Sequence, residues 1–129
     1  MEEHKAICSA IDNFRETAVA ISRSIHARPE LKFEEHFAAE QLAKGASALG
    51  LKVETGIAGL ETAFRAEFGR ASGPTVAIFA EYDALPNGHS CGHNLIAGAA
   101  LSAVAGLSSM SFDGEVMSRI RARAIGKAA

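Results

Sequence analysis

The run over residues 75–108 constrains this chain most, because TVAIFAEY leads through a polar loop into LIAGAALSAVAGLS. The continuous apolar stretch after the turn GRASGP predicts a strand over 75–82, buried on both faces. Residues 95–108 predict a helix with Asn94 as its cap, and Gly98, Ala99, Ser102, Ala103 and Gly106 would let it approach that strand closely. Strand, loop and helix form one α/β unit, so the remaining segments must supply layers that cover it.

Upstream, Ile7, Ile11, Phe14, Ala18, Ile21 and Ile25 fall in steps of three and four, the signature of one helix face, from His4 to about Ala27. Proline at 29 disfavours helical backbone in Arg28 and stops it. Leu31 and Phe33 should then tuck the connection onto the core. A second helix from about Glu34 carries Phe37, Ala38, Leu42, Ala46 and Leu49 on one face and ends at Gly50, with Gly45 weakening its middle. Residues 51–55 make a short strand candidate, and the alternation of Thr62, Phe64, Ala66 and Phe68 with Ala63, Arg65 and Glu67 predicts a half-exposed strand. Residues 112–117 read as a turn opening the parallel neighbour that the α/β unit needs. The segment SRIRARAIGKAA after it carries Arg119, Arg121, Arg123 and Lys127. A solvated tail explains these charges better than a phosphate contact, so 1–117 is expected to be an α/β domain and 118–129 a disordered basic tail.

At 129 residues the chain has the size of one domain, and a net charge of −2 offers no electrostatic case for nucleic acid or an anionic membrane. The longest apolar run, about 95–107, is shorter than the roughly 20 residues a bilayer span needs. The opening MEEHKAICSA lacks the order of a secretory signal. Cys8 and Cys91 stand far apart in unlike contexts, which suits a reducing, cytoplasmic setting better than a disulfide scaffold.

Chemistry concentrates in the loop AEYDALPNGHSCGHNLI, which gathers Glu81, Asp83, His89, Cys91 and His93. Imidazole and thiolate are good donors to a borderline cation such as Zn²⁺, and carboxylates complete or orient such a set. Cys91 and His93 can converge if the backbone bends between them, and Gly92 permits the bend. A loop leaving the carboxyl end of a strand is also where open α/β sheets place ligands. The competing reading makes Asp83 and Glu81 a helix cap and a solvated strand end, and His89 an exposed loop residue, since structural zinc sites usually show two ligand pairs.

The segments IHARPELKFEEH, GLETAFRAEFG and FAEYDALPNGHSCGHNLIAGAAL, in this order and spacing, resemble the amino-terminal part of the metal-dependent amidohydrolases and carboxypeptidases related to aminoacylases. Within that family the aminobenzoyl-glutamate hydrolases and β-alanyl-type dipeptidases look most similar. The resemblance implies part of an α/β catalytic domain: two leading helices, then strands and a buried helix. It implies two Zn²⁺ or Mn²⁺ ions in the intact enzyme, with Cys91 and His93 as ligands and Cys91 bridging. Asp83 would stand behind a ligand or orient one, and His26 and Glu81 carry over in unassigned roles; apart from the resemblance, His89 is a further candidate donor in the loop. The implied substrate is a small amide or dipeptide, and the implied homodimer forms through a second, inserted domain.

The sequence departs from the family at two points in the loop: only Asn87 separates Pro86 from Gly88, and Ser90 stands where alanine is usual. The family's Glu-Glu pair, which supplies its general base, has no counterpart. No histidine follows His93, and the acidic residues after it are Asp113 and Glu115. The chain therefore reads as a catalytically incomplete fragment of an amidohydrolase or, alternatively, as a metal- or partner-binding module.

Overall fold

A computed structural model of the chain describes residues 1–69, 75–110 and 115–120, the last of these as backbone. Residues 111–114, where a turn is expected, and the basic residues Arg121, Arg123 and Lys127 lie outside the described residues.

The chain begins with the long helix α1, Glu2–Ala27, followed by α2, His36–Ala48. Four strands follow: β1 (Lys52–Thr55), β2 (Phe64–Gly69), β3 (Thr75–Ala80) and β4 (Glu115–Ile120), with α3 (His93–Ser108) between the last two. They form one sheet in the order β1-β2-β4-β3. Both β1 and β4 pair with β2 antiparallel, whereas β3 and β4 run parallel. The return of the chain from β3 through α3 to β4 is thus the α/β crossover expected for a parallel pair.

Apolar periodicity explains the helical layer. Phe14, Ala18, Ile21 and Ile25 of α1, with Ala38, Leu42 and Ala46 of α2, are buried together with Ala97, Leu101 and Val104 of α3. The small residues of α3 act mainly against α1 rather than against the strand. A Cβ on Gly106 would stand 2.9 Å from Ile11 Cγ1, and one on Gly98 would stand 3.5 Å from the Ala18 carbonyl oxygen. Gly45 has the same purpose in α2, since a Cβ there would meet Leu101 Cδ2 at 2.7 Å and Ile21 Cδ1 at 2.8 Å. Its cost in helix propensity is the condition for three helices meeting at one point.

Four expectations change. Strand β3 is an edge strand with Val76 55% and Phe79 58% exposed, not a strand buried on both faces. A continuous apolar run does not reveal whether both faces are covered. Leu31 and Phe33 are 43% and 45% exposed, because the chain turns there with Phe33 at φ 69° and the Glu34 N–H donating to the Leu31 carbonyl. Asn94 does not cap α3: Gly92, at φ 74°, precedes the helix, and the buried Asn94 amide donates to Ser22 Oγ at 3.0 Å. Strand β4 takes in Ser118, Arg119 and Ile120, which the sequence pattern assigned to the tail. Sheet pairing there follows backbone register with both neighbours, to which the alternation of basic residues is indifferent.

Candidate metal centre

Past β3, Glu81, Tyr82 and Asp83 belong to no strand or helix, and their side chains divide between the core and His93. Tyr82 points into the core and is fully buried. Glu81 and Asp83 flank it and meet His93, the first residue of α3. Gly92 makes this return possible, because its left-handed backbone lets the loop turn into the helix within one residue.

The resulting geometry is tight. Asp83 Oδ1 lies 2.7 Å from His93 Nδ1, and Glu81 Oε2 lies 3.1 Å from His93 Nε2. His93 Nδ1 also stands 3.0 Å from the Asp83 carbonyl oxygen. Two acceptors around Nδ1 favour the tautomer with its proton on that nitrogen, which leaves the Nε2 lone pair facing the Glu81 carboxylate. Two electron-rich atoms face one another there, and they attract either a proton, giving an imidazolium between two carboxylates, or a divalent cation. One ligand atom each from Glu81, Asp83 and His93 lies within 4.8 Å of the others.

His89 and Cys91 lie in the turn between Asp83 and His93. The half-buried Cys91 Sγ stands 3.9 Å from the Asp83 carbonyl oxygen and forms no disulfide. His89 is buried, not exposed; the Ile25 backbone lies close enough to act on its ring, but neither ring nitrogen makes a hydrogen bond of regular geometry among the described residues. Its ring stacks on that of His26 at a centroid distance of 6.0 Å. Burial first, and then the positive charge of His26, hold His89 below the ordinary imidazole pKa, so it is neutral near pH 7 and able to donate a lone pair. Asp83 is likewise buried and bound to His93, which excludes the helix-cap reading.

The chemistry of this donor set fits a divalent cation: an oriented imidazole, an adjacent carboxylate, a nearby thiol and a buried, neutral imidazole. His93 and Glu81 meet directly, whereas Cys91 and His89 stand beside them without completing one compact set.

Two residues outside the loop support it, and the ligand pattern alone did not single them out. Glu30 accepts from the backbone N–H of Phe37 at 3.1 Å and of Ala38 at 3.0 Å, so its carboxylate caps α2 from outside the helix. Its own carbonyl accepts from the Ala84 N–H at 2.7 Å, next to the site. The fully buried Glu35 accepts from Thr62 Oγ1 at 2.8 Å. Burial, opposed by that hydrogen bond, raises the Glu35 carboxyl above the usual carboxylate range, with a smaller upward push from Asp83. The sequence hint for both is the acidic run in PELKFEEH, in which Glu30 falls in the expected connection and Glu35 in the expected start of the second helix.

No family model matches the chain. One of the subunits of p-aminobenzoyl-glutamate hydrolase from Escherichia coli (strain K12) is 34% identical over 120 residues, covering 79% of this chain and 25% of that protein. An Xaa-Arg dipeptidase of Mus musculus is 44% identical over 108 residues, covering 75% of this chain and 25% of the relative. The crystal structure of the Bacillus subtilis YXEP protein, a dinuclear metal binding peptidase from the M20 family, superposes with a TM-score of 0.73 at 23% identity. It covers 84% of this chain and 35% of that one, and establishes a common fold. The chain spans about a quarter of the length of the curated relatives it matches.

Proposed function

Since this chain is related in sequence and fold to the amidohydrolases and carboxypeptidases, over about a quarter of their length, we propose that it carries part of the metal site of an amide-bond hydrolase. The observation that carries this reading is the clamp on His93, with Asp83 at 2.7 Å from one ring nitrogen and Glu81 at 3.1 Å from the other. His93 Nε2 and the Cys91 thiolate would hold a divalent ion, Zn²⁺ or Mn²⁺, of which the intact family binds two. Asp83 keeps the proton on Nδ1 and orients the ring. Glu81 and the neutral His89 are the remaining donors within the loop. The ion would lower the pKa of a bound water and polarise an amide carbonyl.

The substrate of such a site is an acyl-amino acid or dipeptide, in keeping with the names of the relatives. The two unpaired cysteines agree with a cytoplasmic setting, and no helix among the described residues is long and apolar enough to cross a membrane. The site is incomplete in this chain. Positioned acid–base catalysis is worth on the order of 10² to 10⁴ in rate, and neither Asp113 nor Glu115 matches the paired glutamates that supply it in the family.

Purified chain, with Zn²⁺ or Mn²⁺ supplied, should therefore leave aminobenzoyl-glutamate, acyl-amino acids and β-alanyl dipeptides intact while retaining zinc after dialysis. Metal-dependent turnover lost in both Cys91→Ala and His93→Ala would overturn the incompleteness. Negligible zinc in wild type and Cys91→Ser alike would overturn the metal site itself.

A further inference from the structure

The best-connected polar group outside the metal site is the buried chain Glu35–Thr62–Tyr82. Tyr82 donates from its hydroxyl to the Thr62 carbonyl oxygen, and Thr62 donates from Oγ1 to Glu35 Oε2 at 2.8 Å. All three side chains are at most 2% exposed, and Glu35 Oε1 has no partner among the described residues. A buried carboxyl is a costly way to fill a core even with the Thr62 hydroxyl and the Glu35 and Phe33 backbone acting on it. Its energetic burden would be avoided by an apolar residue unless the hydrogen bond accomplishes something.

The position of Tyr82 indicates what that is. Its neighbours in sequence are Glu81 and Asp83, whose carboxylates grip the two nitrogens of His93. Residues on either side of Tyr82 share one backbone with it, so the orientation of its ring sets the direction in which both carboxylates project. Phe64 packs on that ring at a centroid distance of 6.3 Å and restricts it from one side. The hydroxyl anchor restricts it along its length. Thr62 is the hinge of the anchor, since its carbonyl holds Tyr82 while its hydroxyl is held by Glu35.

We propose that Glu35 is a positioning residue for the metal site, fixing Thr62 as the buried acceptor for Tyr82 and thereby the aim of Glu81 and Asp83 at His93. The proposal rests on the metal-site reading above for its consequence, but the link from Glu35 to His93 exists in the metal-free protein and is open to direct measurement there. What matters at position 35 is an acceptor for the Thr62 hydroxyl, which an amide side chain of the same shape also provides.

The test compares Glu35→Gln, Glu35→Leu and Thr62→Val in the full chain, each checked for folding by circular dichroism. In the metal-free protein, long-range ¹H–¹⁵N spectra report the tautomer of His93. Wild type and Glu35→Gln should show the single Nδ1–H form, and Glu35→Leu and Thr62→Val should lose it to a mixture. Calorimetric titration with Zn²⁺ should show affinity weakened by about tenfold in Glu35→Leu and Thr62→Val and restored in Glu35→Gln, the scale typical of partners that orient a ligand.

A general packing role would instead leave the tautomer of every folded variant unchanged, and that result overturns the proposal. So would Glu35→Gln behaving as Glu35→Leu does. Should wild type fail to bind Zn²⁺, the metal-site reading falls, while the tautomer of His93 in Thr62→Val still decides whether the positioning chain exists. Thr62→Val keeps the shape of the side chain, so it covers the case in which Glu35→Leu does not fold.

Discussion

The two sides of the site loop differ in how far the chain satisfies them. On the strand side, Glu81, Asp83 and His93 hold one another at 2.7 and 3.1 Å, and Tyr82 between them is anchored in the core. On the turn side, His89 is buried with no hydrogen bond of regular geometry among the described residues and only the Ile25 backbone near its ring, and Cys91 has only a 3.9 Å approach to a carbonyl. Buried polar groups are almost always paired, so a side that is paired internally and a side that is not have different purposes. The first is preorganised by this chain, and on the proposed reading the second supplies donors for a bound cation.

Removing the residue at the centre of the paired side should have the largest effect. His93→Ala takes away the proposed ligand and leaves two carboxylates uncompensated, and zinc affinity should fall by about a hundredfold or more, beyond the usual range for orienting partners. Asp83→Asn, which removes the charge that favours the Nδ1–H form, should cost about tenfold. Isothermal titration of the two variants ranks them. Equal, small losses would mean that the strand side is a structural ion pair and not a metal ligand set.

A smaller effect belongs to the helical layer that carries the loop. Gly45→Ala would gain about 1 kcal/mol of helix propensity but forces a Cβ to within 2.7 Å of Leu101 and 2.8 Å of Ile21. Overpacking costs about 1–3 kcal/mol, so a net destabilisation of about 1 kcal/mol is expected in urea denaturation. A more stable variant would show that α1 and α3 yield easily, and that the site does not sit on a rigid layer.

The smallest effect is a pH dependence. Burial raises the Glu35 pKa above its unfolded value, so the folded state holds the extra proton between the two values. The associated stability is complete below the ordinary glutamate pKa and is lost as pH climbs through the raised one. The melting temperature of wild type relative to Glu35→Gln should therefore decline across that interval. A constant difference would show that Glu35 is not desolvated.

Much of this architecture is legible in the order of the amino acids. Helices α1 and α2 follow from apolar residues three and four apart, β2 from the alternation around Phe64 and Ala66, and the crossover through α3 from an apolar run on either side of a polar loop. The donors of the site are legible as a cluster because they lie in one loop. Their grouping is not, since which side chain meets which depends on Gly92 turning the chain and on Tyr82 facing inward. Nor is the role of Glu30 or Glu35, because a carboxylate that caps a helix from outside it, or one buried opposite a threonine, leaves no periodic trace. The exposure of β3 is hidden for a different reason: Val76 and Phe79 have the chemistry of a core whether or not a layer covers them.

The central claim is that the paired and unpaired sides of the loop converge on one cation, and cobalt substitution tests it most directly. Co²⁺ titrated into the full metal-free chain should produce a thiolate-to-metal charge-transfer band together with visible ligand-field bands. The charge-transfer band should disappear in Cys91→Ser, and all bands should disappear in His93→Ala. A folded wild-type chain that shows no band with Co²⁺ in excess, or one whose spectrum is the same in all three proteins, would contradict the account.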